Sequence, residues 1–340
     1  MHTKKRIYRI LSFVLILSLL MPVAAFAGTI DVDKDSQLTI TYHDNEKPLT
    51  GAVFDLYLVA NVDSDGNRTS TAAFKNYPVD LKSNDQKVWK DLATTLEGLI
   101  ALDSDVKPLK SGKTGADGKL VFGNDKALKP GLYLGIGHRH TQDGRIYTAK
   151  PFIVQLPSLN DIGDWNYDIT VTPKHESRPD GGGGGNTPET SRKVLKVWND
   201  DGNEQNRPQS ITIYLLRDGE VYDTITLQDS NNWRYEWSKL SNNYHWTVAE
   251  KVEGNYNVSV SLEGITFVVT NTCEEELPEN PVPGAPAEPP DEEIIVPGVP
   301  LGDKLPQTGQ LWWPVALLIA SGLVCVIAGL VLQKGETYGA

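Results

Sequence analysis

The sequence Val-Leu-Lys-Val-Trp at residues 194–198 alternates in the way that is typical of a β-strand with one buried face. Because side chains alternate along a strand, Lys196 shares its face with the valine and the tryptophan two positions away. Two later stretches repeat the pattern, Trp-Thr-Val-Ala-Glu at 246–250 and Phe-Val-Val-Thr-Asn at 267–271. Three strands are therefore predicted, each with one polar residue on an otherwise apolar face.

The three polar residues of these strands are Lys196, Glu250 and Asn271, which supply an amine, a carboxyl and a carboxamide. Low-dielectric surroundings push a buried lysine towards its neutral, nucleophilic form and a buried glutamate towards its protonated form. Lys196 could then attack the Asn271 carbonyl while Glu250 relays protons and ammonia leaves. The alternation of side chains alone leaves two alternatives open. The three residues could lie on a solvated face, or Lys196 and Glu250 could form an ordinary salt bridge.

Short apolar runs between clusters of Gly, Asn and Asp recur along the rest of the chain and predict further strands. The predicted fold is all-β, with two Ig-like β-sandwich domains in tandem. One short helix is predicted at residues 86–101. The strand-like runs are Leu38 to Tyr42, Ala52 to Ala60, Gly131 to Ile136, Thr148 to Leu156 and Ile211 to Leu216.

Five consecutive glycines, Gly181 to Gly185, divide the chain, since such a run behaves as a flexible tether. An N-terminal domain is predicted at 28–176, a Gly-rich linker at 177–189 and a second domain at 190–273. The proline-rich and acidic segment 274–304 is predicted to be an extended stalk.

Both ends of the chain have the composition of export and anchoring segments. Residues 1–27 combine a basic start, an apolar run and the small-x-small sequence that closes on Ala27, which predicts a cleaved signal peptide. Residues 311–332 are uncharged and apolar over 22 positions, long enough to cross a membrane. The mature protein is therefore expected outside the cell.

Composition narrows the range of functions. The chain has 32 basic against 44 acidic side chains, a formal net charge of −12, which argues against nucleic acid as a partner. The two cysteines are Cys273 and Cys325, and the second lies in the predicted membrane run, so no disulfide framework is expected. The sequence has no phosphate-binding glycine loop and no hydrolase or zinc-protease motif. No cofactor, no metal site and no enzymatic turnover are predicted.

The C-terminal segment 305–340 resembles a Gram-positive cell-wall sorting signal, because a pentapeptide precedes an apolar run and a short tail. The resemblance implies that a sortase cleaves after the threonine of the pentapeptide and joins it to an amine of peptidoglycan or of another subunit. The tail differs from the family in having one basic residue, Lys334. The pentapeptide consists of Leu305, Pro306, Gln307, Thr308 and Gly309.

Residues 192–272 resemble the B-type repeat of the collagen adhesin and of Gram-positive pilins. The resemblance rests on Lys-Val-Trp-Asn-Asp at 196–200, Glu-Gly-Asn-Tyr at 253–256 and Val-Thr-Asn-Thr at 269–272. It implies that the lysine of the first motif and the asparagine of the last form an intramolecular isopeptide bond, promoted by Glu250. No lysine occupies the corresponding place in the first predicted strand, so no such bond is predicted in the N-terminal domain.

The stretch from Trp165 to Lys174 resembles the pilin motif Trp-x-x-x-Val-x-Val-Tyr-Pro-Lys of sortase-assembled pili. It differs from the motif at Ile169 and Thr172, which replace a valine and the tyrosine. The resemblance implies that Lys174 is the acceptor that is joined to the sorting signal of another subunit.

These features together predict a structural pilin subunit, basal or ancillary in position, anchored to the cell wall and stiffened by one internal cross-link. Its expected partners are a sortase, peptidoglycan and other pilin subunits. The alternatives are a shaft pilin and a monomeric wall-anchored adhesin whose first domain binds a host matrix protein or glycan. An enzyme is the least supported class, because the one chemistry that the residues suggest is a single self-modification.

Overall fold

The computed structural model describes residues 28–160, 163–180, 188–200, 204–251 and 255–273. The predicted signal peptide, stalk, sorting signal and membrane run all lie outside this part of the chain. Within it, no helix is both long and apolar enough to span a bilayer.

Residues 28–180 form an N-terminal sandwich that is built mostly from short strands. Its strands are β1 Gln37–Thr41, β2 His43–Asp44, β3 Lys47–Pro48, β4 Val53–Val62, β5 Arg68–Ser70, β6 Lys110–Lys113, β7 Lys119–Phe122, β8 Gly131–Gly137, β9 His140–Gln142, β10 Arg145–Ala149, β11 Phe152–Leu156, β12 Ser158–Leu159, β13 Trp165–Asn166, β14 Asp168–Val171 and β15 His175–Pro179.

Two sheets of this sandwich enclose the first core. One has the order β14-β1-β7, with β1 parallel to β14 and antiparallel to β7. The other has the order β11-β8-β4-β5, with β6 also paired to β4. A third sheet, β15-β10-β9, adjoins them. The side chains buried between the sheets include Leu38, Ile40, Tyr42, Phe54, Leu56, Tyr133 and Leu156.

The helix α1, Gln86–Ala101, covers the outer face of the β4 sheet and confirms the predicted helix. The side chain of Asp85 caps the N-terminus of the helix. It accepts hydrogen bonds from the backbone N–H groups of Lys87 and Val88, at 2.7 and 3.1 Å. Leu92 and Leu96 pack with Val59 and Leu132 from the sheet. The β4 sheet is thus buried on both faces.

The predicted strand from Thr148 to Leu156 is divided in two. β10 ends at Ala149 and pairs with β15, whereas β11 begins at Phe152 and pairs with β8. Pro151 lacks an N–H group and so cannot continue a ladder, and the N–H of Lys150 donates instead to the carbonyl of Lys174 at 2.7 Å. The chain therefore changes sheet at this point.

Residues 188–273 form a second sandwich, here called the C-terminal sandwich. One sheet has the order β19-β16-β22-β21 and the other β18-β17-β20. Short 3₁₀ helices lie at Glu204–Asn206 and Asp229–Asn231. The strands are β16 Glu189–Asn199, β17 Ser210–Arg217, β18 Glu220–Gln228, β19 Arg234–Ser241, β20 Trp246–Lys251, β21 Tyr256–Glu263 and β22 Thr266–Cys273.

The core of the C-terminal sandwich confirms the predicted alternation and adds one departure from it. Val194, Val248, Phe267 and Val269 all point inwards, and none is more than 1% exposed. β20, however, is buried on its other face as well, where Thr247 and Ala249 are each 1% exposed. This second face is covered because α1 of the N-terminal sandwich lies against it.

Candidate cross-link site

Three strands bring the predicted amine, carboxyl and carboxamide together. β16 and β22 are parallel neighbours, and their register places Lys196 beside Val269 and Trp198 beside Asn271. Lys196 and Asn271 therefore lie on the inner face of one sheet, while Glu250 points towards them from β20 in the other. Lys196, Glu250 and Asn271 are 4%, 2% and 1% exposed, which rules out the solvated face that parity left open.

Glu250 bridges the other two side chains. One carboxylate oxygen, Oε2, lies 3.3 Å from Nζ of Lys196. The other, Oε1, accepts a hydrogen bond from Nδ2 of Asn271 at 2.7 Å. The carboxyl group can therefore exchange protons with the amine on one side and with the carboxamide on the other.

Hydrogen bonding in this cluster is incomplete. Besides its contact with Glu250, Nζ of Lys196 makes only long contacts with the carbonyls of Val197 and Val269, at 3.4 and 3.5 Å. Glu250 Oε2 has the ion-pair contact with Lys196 but no hydrogen bond, and Asn271 Oδ1 has no hydrogen-bond partner among the described residues. An unsatisfied buried polar atom costs about 1 to 3 kcal/mol, so a cluster of this kind is more typical of a reactive site than of a stabilising network.

Burial changes the pKa values of both ionisable members. It lowers the pKa of Lys196 to about 8, outweighing the opposing attraction of Glu250. It also raises the pKa of Glu250, against the opposing influence of Lys196 and Asn271. At neutral pH a lysine with a pKa of about 8 is neutral in roughly one molecule in ten, compared with about one in 3,000 at its ordinary value. The site therefore enriches the neutral, nucleophilic form of the amine, although the charged form still predominates at neutral pH.

Aromatic and charged neighbours hold the lysine in place. Nζ of Lys196 lies 4.3 Å from the centre of the Trp198 ring. That ring packs edge-on against Trp233 and Tyr256, each at 5.3 Å between ring centres. Asp200 is 4% exposed and accepts hydrogen bonds from Arg207, at 2.7 Å from Nε, and from the Tyr256 hydroxyl at 3.2 Å.

Lys174 lies in a different environment from Lys196. It is exposed, and it follows the buried Pro173 between the end of β14 and the start of β15. Its carbonyl is held by Lys150, but its ammonium makes no hydrogen bond or ion pair with the described residues. The side chain is thus accessible to an enzyme that needs a free amine.

Each of the two sandwiches matches the model of a known protein family. Residues 28–176 match the Gram-positive pilin subunit D1, N-terminal domain, and residues 192–272 match the Cna protein B-type domain. The chain therefore contains one segment that matches a Gram-positive pilin domain and a second that matches a Cna B-type domain. The predicted resemblance is confirmed, and these families place the protein outside the cell, at its surface, among structural and adhesive proteins.

Three of the proteins and structures that resemble this chain share between 16% and 33% of its residues over the aligned regions. The chain is 33% identical over 87 residues to the collagen adhesin of Staphylococcus aureus, a match that covers 24% of this chain and 7% of that protein. A single B repeat unit of the collagen-binding surface protein of the same organism is 18% identical, covering 70% of this chain and 97% of the other, with a TM-score of 0.24. The major pilin SpaD of Corynebacterium diphtheriae is 16% identical, covering 72% and 65%, with a TM-score of 0.27.

Two of the predicted sites, the cross-link cluster and the acceptor Lys174, lie among the described residues. The sortase pentapeptide 305–309 and the cleavage site at Ala27 lie outside them. The sequence interpretation missed Asp200, although it lies within the Lys-Val-Trp-Asn-Asp motif. It also missed Gly98 and Leu99 of α1, which touch the C-terminal sandwich. A glycine within the predicted helix was the available signal for that contact.

Proposed function

We propose that this protein is a structural pilin subunit, basal or ancillary in its pilus, that sortases join covalently to the cell wall and to other subunits. An intramolecular bond between Lys196 and Asn271 stabilises it against unfolding and proteolysis. The observation that carries the proposal is the buried contact of Lys196, Glu250 and Asn271 within a region of Cna B-type sequence.

The proposed bond forms by amide exchange. Glu250 takes a proton from Lys196, and the neutral Nζ attacks Cγ of Asn271. Before the attack, the carboxamide rotates by half a turn, which swaps the positions of its nitrogen and oxygen atoms. Protonated Glu250 can then donate to Oδ1 as negative charge develops on that oxygen. The tetrahedral intermediate then expels its original nitrogen, which leaves as ammonia after taking a proton through Glu250. One C–N bond forms, one breaks, and no oxidant or cofactor is needed.

Lys174 and the pentapeptide 305–309 form the other part of the proposal. A sortase joins the carbonyl of Thr308 to an amine, and Lys174 offers an exposed amine on the surface of the N-terminal sandwich. A chain with both groups can act as donor and as acceptor. It can therefore occupy an internal or a basal place in a covalent polymer.

The proposal is tested with Lys174→Arg, which keeps the positive charge but removes the primary amine. Wall extracts from cells that make the wild type should show high-mass ladders or a discrete covalent adduct on a denaturing gel. The variant should lose these species and retain the wall-linked monomer. Lys150→Arg is the matched control, because Lys150 is a neighbouring lysine whose ammonium pairs with Glu176 at 3.4 Å. Ladders that persist in Lys174→Arg would contradict the acceptor role.

A second candidate is a monomeric wall-anchored adhesin, for which the matched collagen adhesin is the specific observation. In that case Lys174 has no role, and the wild type and Lys174→Arg should give the same single wall-linked species. Direct binding of the chain to a host matrix protein such as collagen would support this candidate.

A further inference from the structure

Two side chains from the N-terminal sandwich pack against the core of the C-terminal sandwich. Val79, which precedes α1, and Leu99, on α1, both pack against the cluster that includes Val248, Val260 and Val269. Each is partly buried there, although the linker and most of the N-terminal sandwich separate them from this cluster in sequence. The C-terminal sandwich is thus completed by another part of the chain.

Gly98 allows α1 to approach β20 closely. A Cβ atom at this position would clash with the carbonyl oxygen of Val248 and lie 3.3 Å from the Cβ of Ala249. Glycine inside a helix costs about 1 kcal/mol relative to alanine, so its presence in the last turns of α1 calls for a packing reason. Contact with the backbone of β20 is that reason.

The same segment covers the edge of the neighbouring sheet. β21 is an edge strand, and its outward N–H groups need partners outside its own sheet. The N–H of Val258 donates to the carbonyl of Pro78 at 2.6 Å, and the N–H of Val260 donates to the hydroxyl of Thr95 at 2.8 Å. Residues 78–99, here called the docking segment, therefore close the seam between β20 and β21.

Glu250 lies on β20 directly after the residues that Gly98 contacts. It also lines a groove of about 540 Å³ beside β17 and β20, together with Pro78 and Leu99 of the docking segment, although its side chain is fully covered. Withdrawal of the segment would open β20 to water beside this glutamate. Burial is the main cause of the shifted pKa values of both Glu250 and Lys196, so water at the seam would return both groups towards their charged forms.

We propose that the docking segment is an in-chain lid of the cross-link site, with Leu99 and Gly98 as positioning residues that keep water away from Glu250 while the Lys196–Asn271 bond forms. This inference rests on the proposed function, and it goes further by making bond formation depend on the N-terminal sandwich. Leu99 acts through β20 and takes no part in the amide exchange itself.

The test compares full chains that carry Leu99→Ser, Gly98→Val or Leu99→Met with the wild type. Val88→Ser is the matched control, because Val88 lies on the same helix and is 39% exposed. Each chain is sampled at intervals after a pulse of synthesis, and the fraction that is about 17 Da lighter, having lost one ammonia, is measured. Hydrogen exchange at the amides of Val258 and Val260 reports docking, and tryptophan fluorescence reports folding of the chain as a whole.

The wild type, Leu99→Met and Val88→Ser should cross-link at the same rate. Leu99→Ser and Gly98→Val should lose amide protection and cross-link at least about tenfold more slowly at pH 7, since each unit by which the pKa of Lys196 returns towards its ordinary value lowers the neutral fraction tenfold. Their rate should recover as the pH is raised, which a merely structural role of Leu99 would not produce.

Undocked variants that cross-link at the wild-type rate would overturn the inference while leaving the proposed function intact. Full amide protection in both Leu99→Ser and Gly98→Val would also overturn it, because these residues would then not hold the segment. Absence of the mass loss in the wild type would instead overturn the proposed bond, and the lid with it.

Discussion

Lys196 and Glu250 would contribute little stability if they remained a buried ion pair. Removing two charges from water costs several kcal/mol per ion, and well-packed apolar residues in their place are often neutral or stabilising. Their contact with Asn271 changes this account under the proposed function, in which amide formation would remove the charge of the lysine and allow the glutamate to stay protonated. The unfavourable pair is then a precursor of a covalent bond.

The substitution Glu250→Gln keeps the shape of the side chain but removes the carboxylate that is proposed to take up the proton of Lys196. The variant should keep its full sequence mass, and its C-terminal sandwich should lose on the order of 4 kcal/mol of unfolding free energy, as expected for a cross-link that closes a loop of this length. Intact mass and a guanidinium titration followed by tryptophan fluorescence measure both effects.

Glu236→Gln on β19 is the control, since Glu236 is paired at the surface with Lys193 at 3.2 Å. It should still lose one ammonia and unfold as the wild type does. A Glu250→Gln chain that is as light as this control would show that another group carries the proton.

The helix α1 is the element with the most demanding surroundings. One face packs on the β4 sheet through Leu92 and Leu96, and another lies against β20 and β21. A helix placed between two sandwiches must begin at a defined residue, because a shift along its axis would misplace both faces. Asp85 defines that start.

The side-chain cap at Asp85 is expected to stabilise α1. Asp85→Ala removes the acceptor for the N–H groups of Lys87 and Val88 and should lower the unfolding free energy by about 1 kcal/mol. Asp85→Asn keeps a side-chain acceptor and should stay close to the wild type. Thermal denaturation of the three chains provides the comparison, and equal losses in both variants would show that charge, rather than capping, is what matters.

In the molecule as a whole, polar contacts join the two sandwiches beside the apolar seam. Nε2 of His245 lies 3.1 and 3.2 Å from the two carboxylate oxygens of Glu97 on α1. Arg178 of β15 donates to the carbonyl of Asn243 at 2.8 Å. These contacts cross between residues that the glycine run separates in sequence.

His245 makes this junction sensitive to pH. Burial alone would lower its pKa, but attraction to Glu97, with smaller contributions from Asp218 and Glu176, leaves the pKa raised above 6.5. A group with a raised pKa contributes its stability below the ordinary pKa and loses it as the pH rises through the raised value. The ring is 27% exposed, so screening by water limits the expected effect to about 1 kcal/mol.

The corresponding variant is His245→Gln, which cannot become charged. The wild type should be more stable than the variant by about 1 kcal/mol near pH 6, and this difference should shrink towards zero near pH 9. Unfolding free energies of both chains across this range measure it. A difference that is constant with pH would mean that His245 contributes by packing rather than by charge.

Much of the fold and part of the site could be predicted from local patterns. The period of two in VLKVW at 194–198 and in the later strands placed Lys196, Glu250 and Asn271 on apolar faces, because parity along a strand is a local property. The helix at 86–101 was also predicted from a local pattern, in this case the helical spacing of apolar residues. The break at Pro151 was missed, because the run around it has enough apolar residues to resemble one strand.

The sequence by itself determined the β-rich fold, the inward faces of the strands and the residue types of the candidate cross-link, since each follows from the order of neighbouring side chains. Only the tertiary structure decided that β16 pairs with β22, that Glu250 faces both from the opposite sheet, and that α1 closes the seam of the C-terminal sandwich. Those contacts join residues 21 to 165 positions apart in the sequence, and such pairing depends on how whole faces pack rather than on any local repeat.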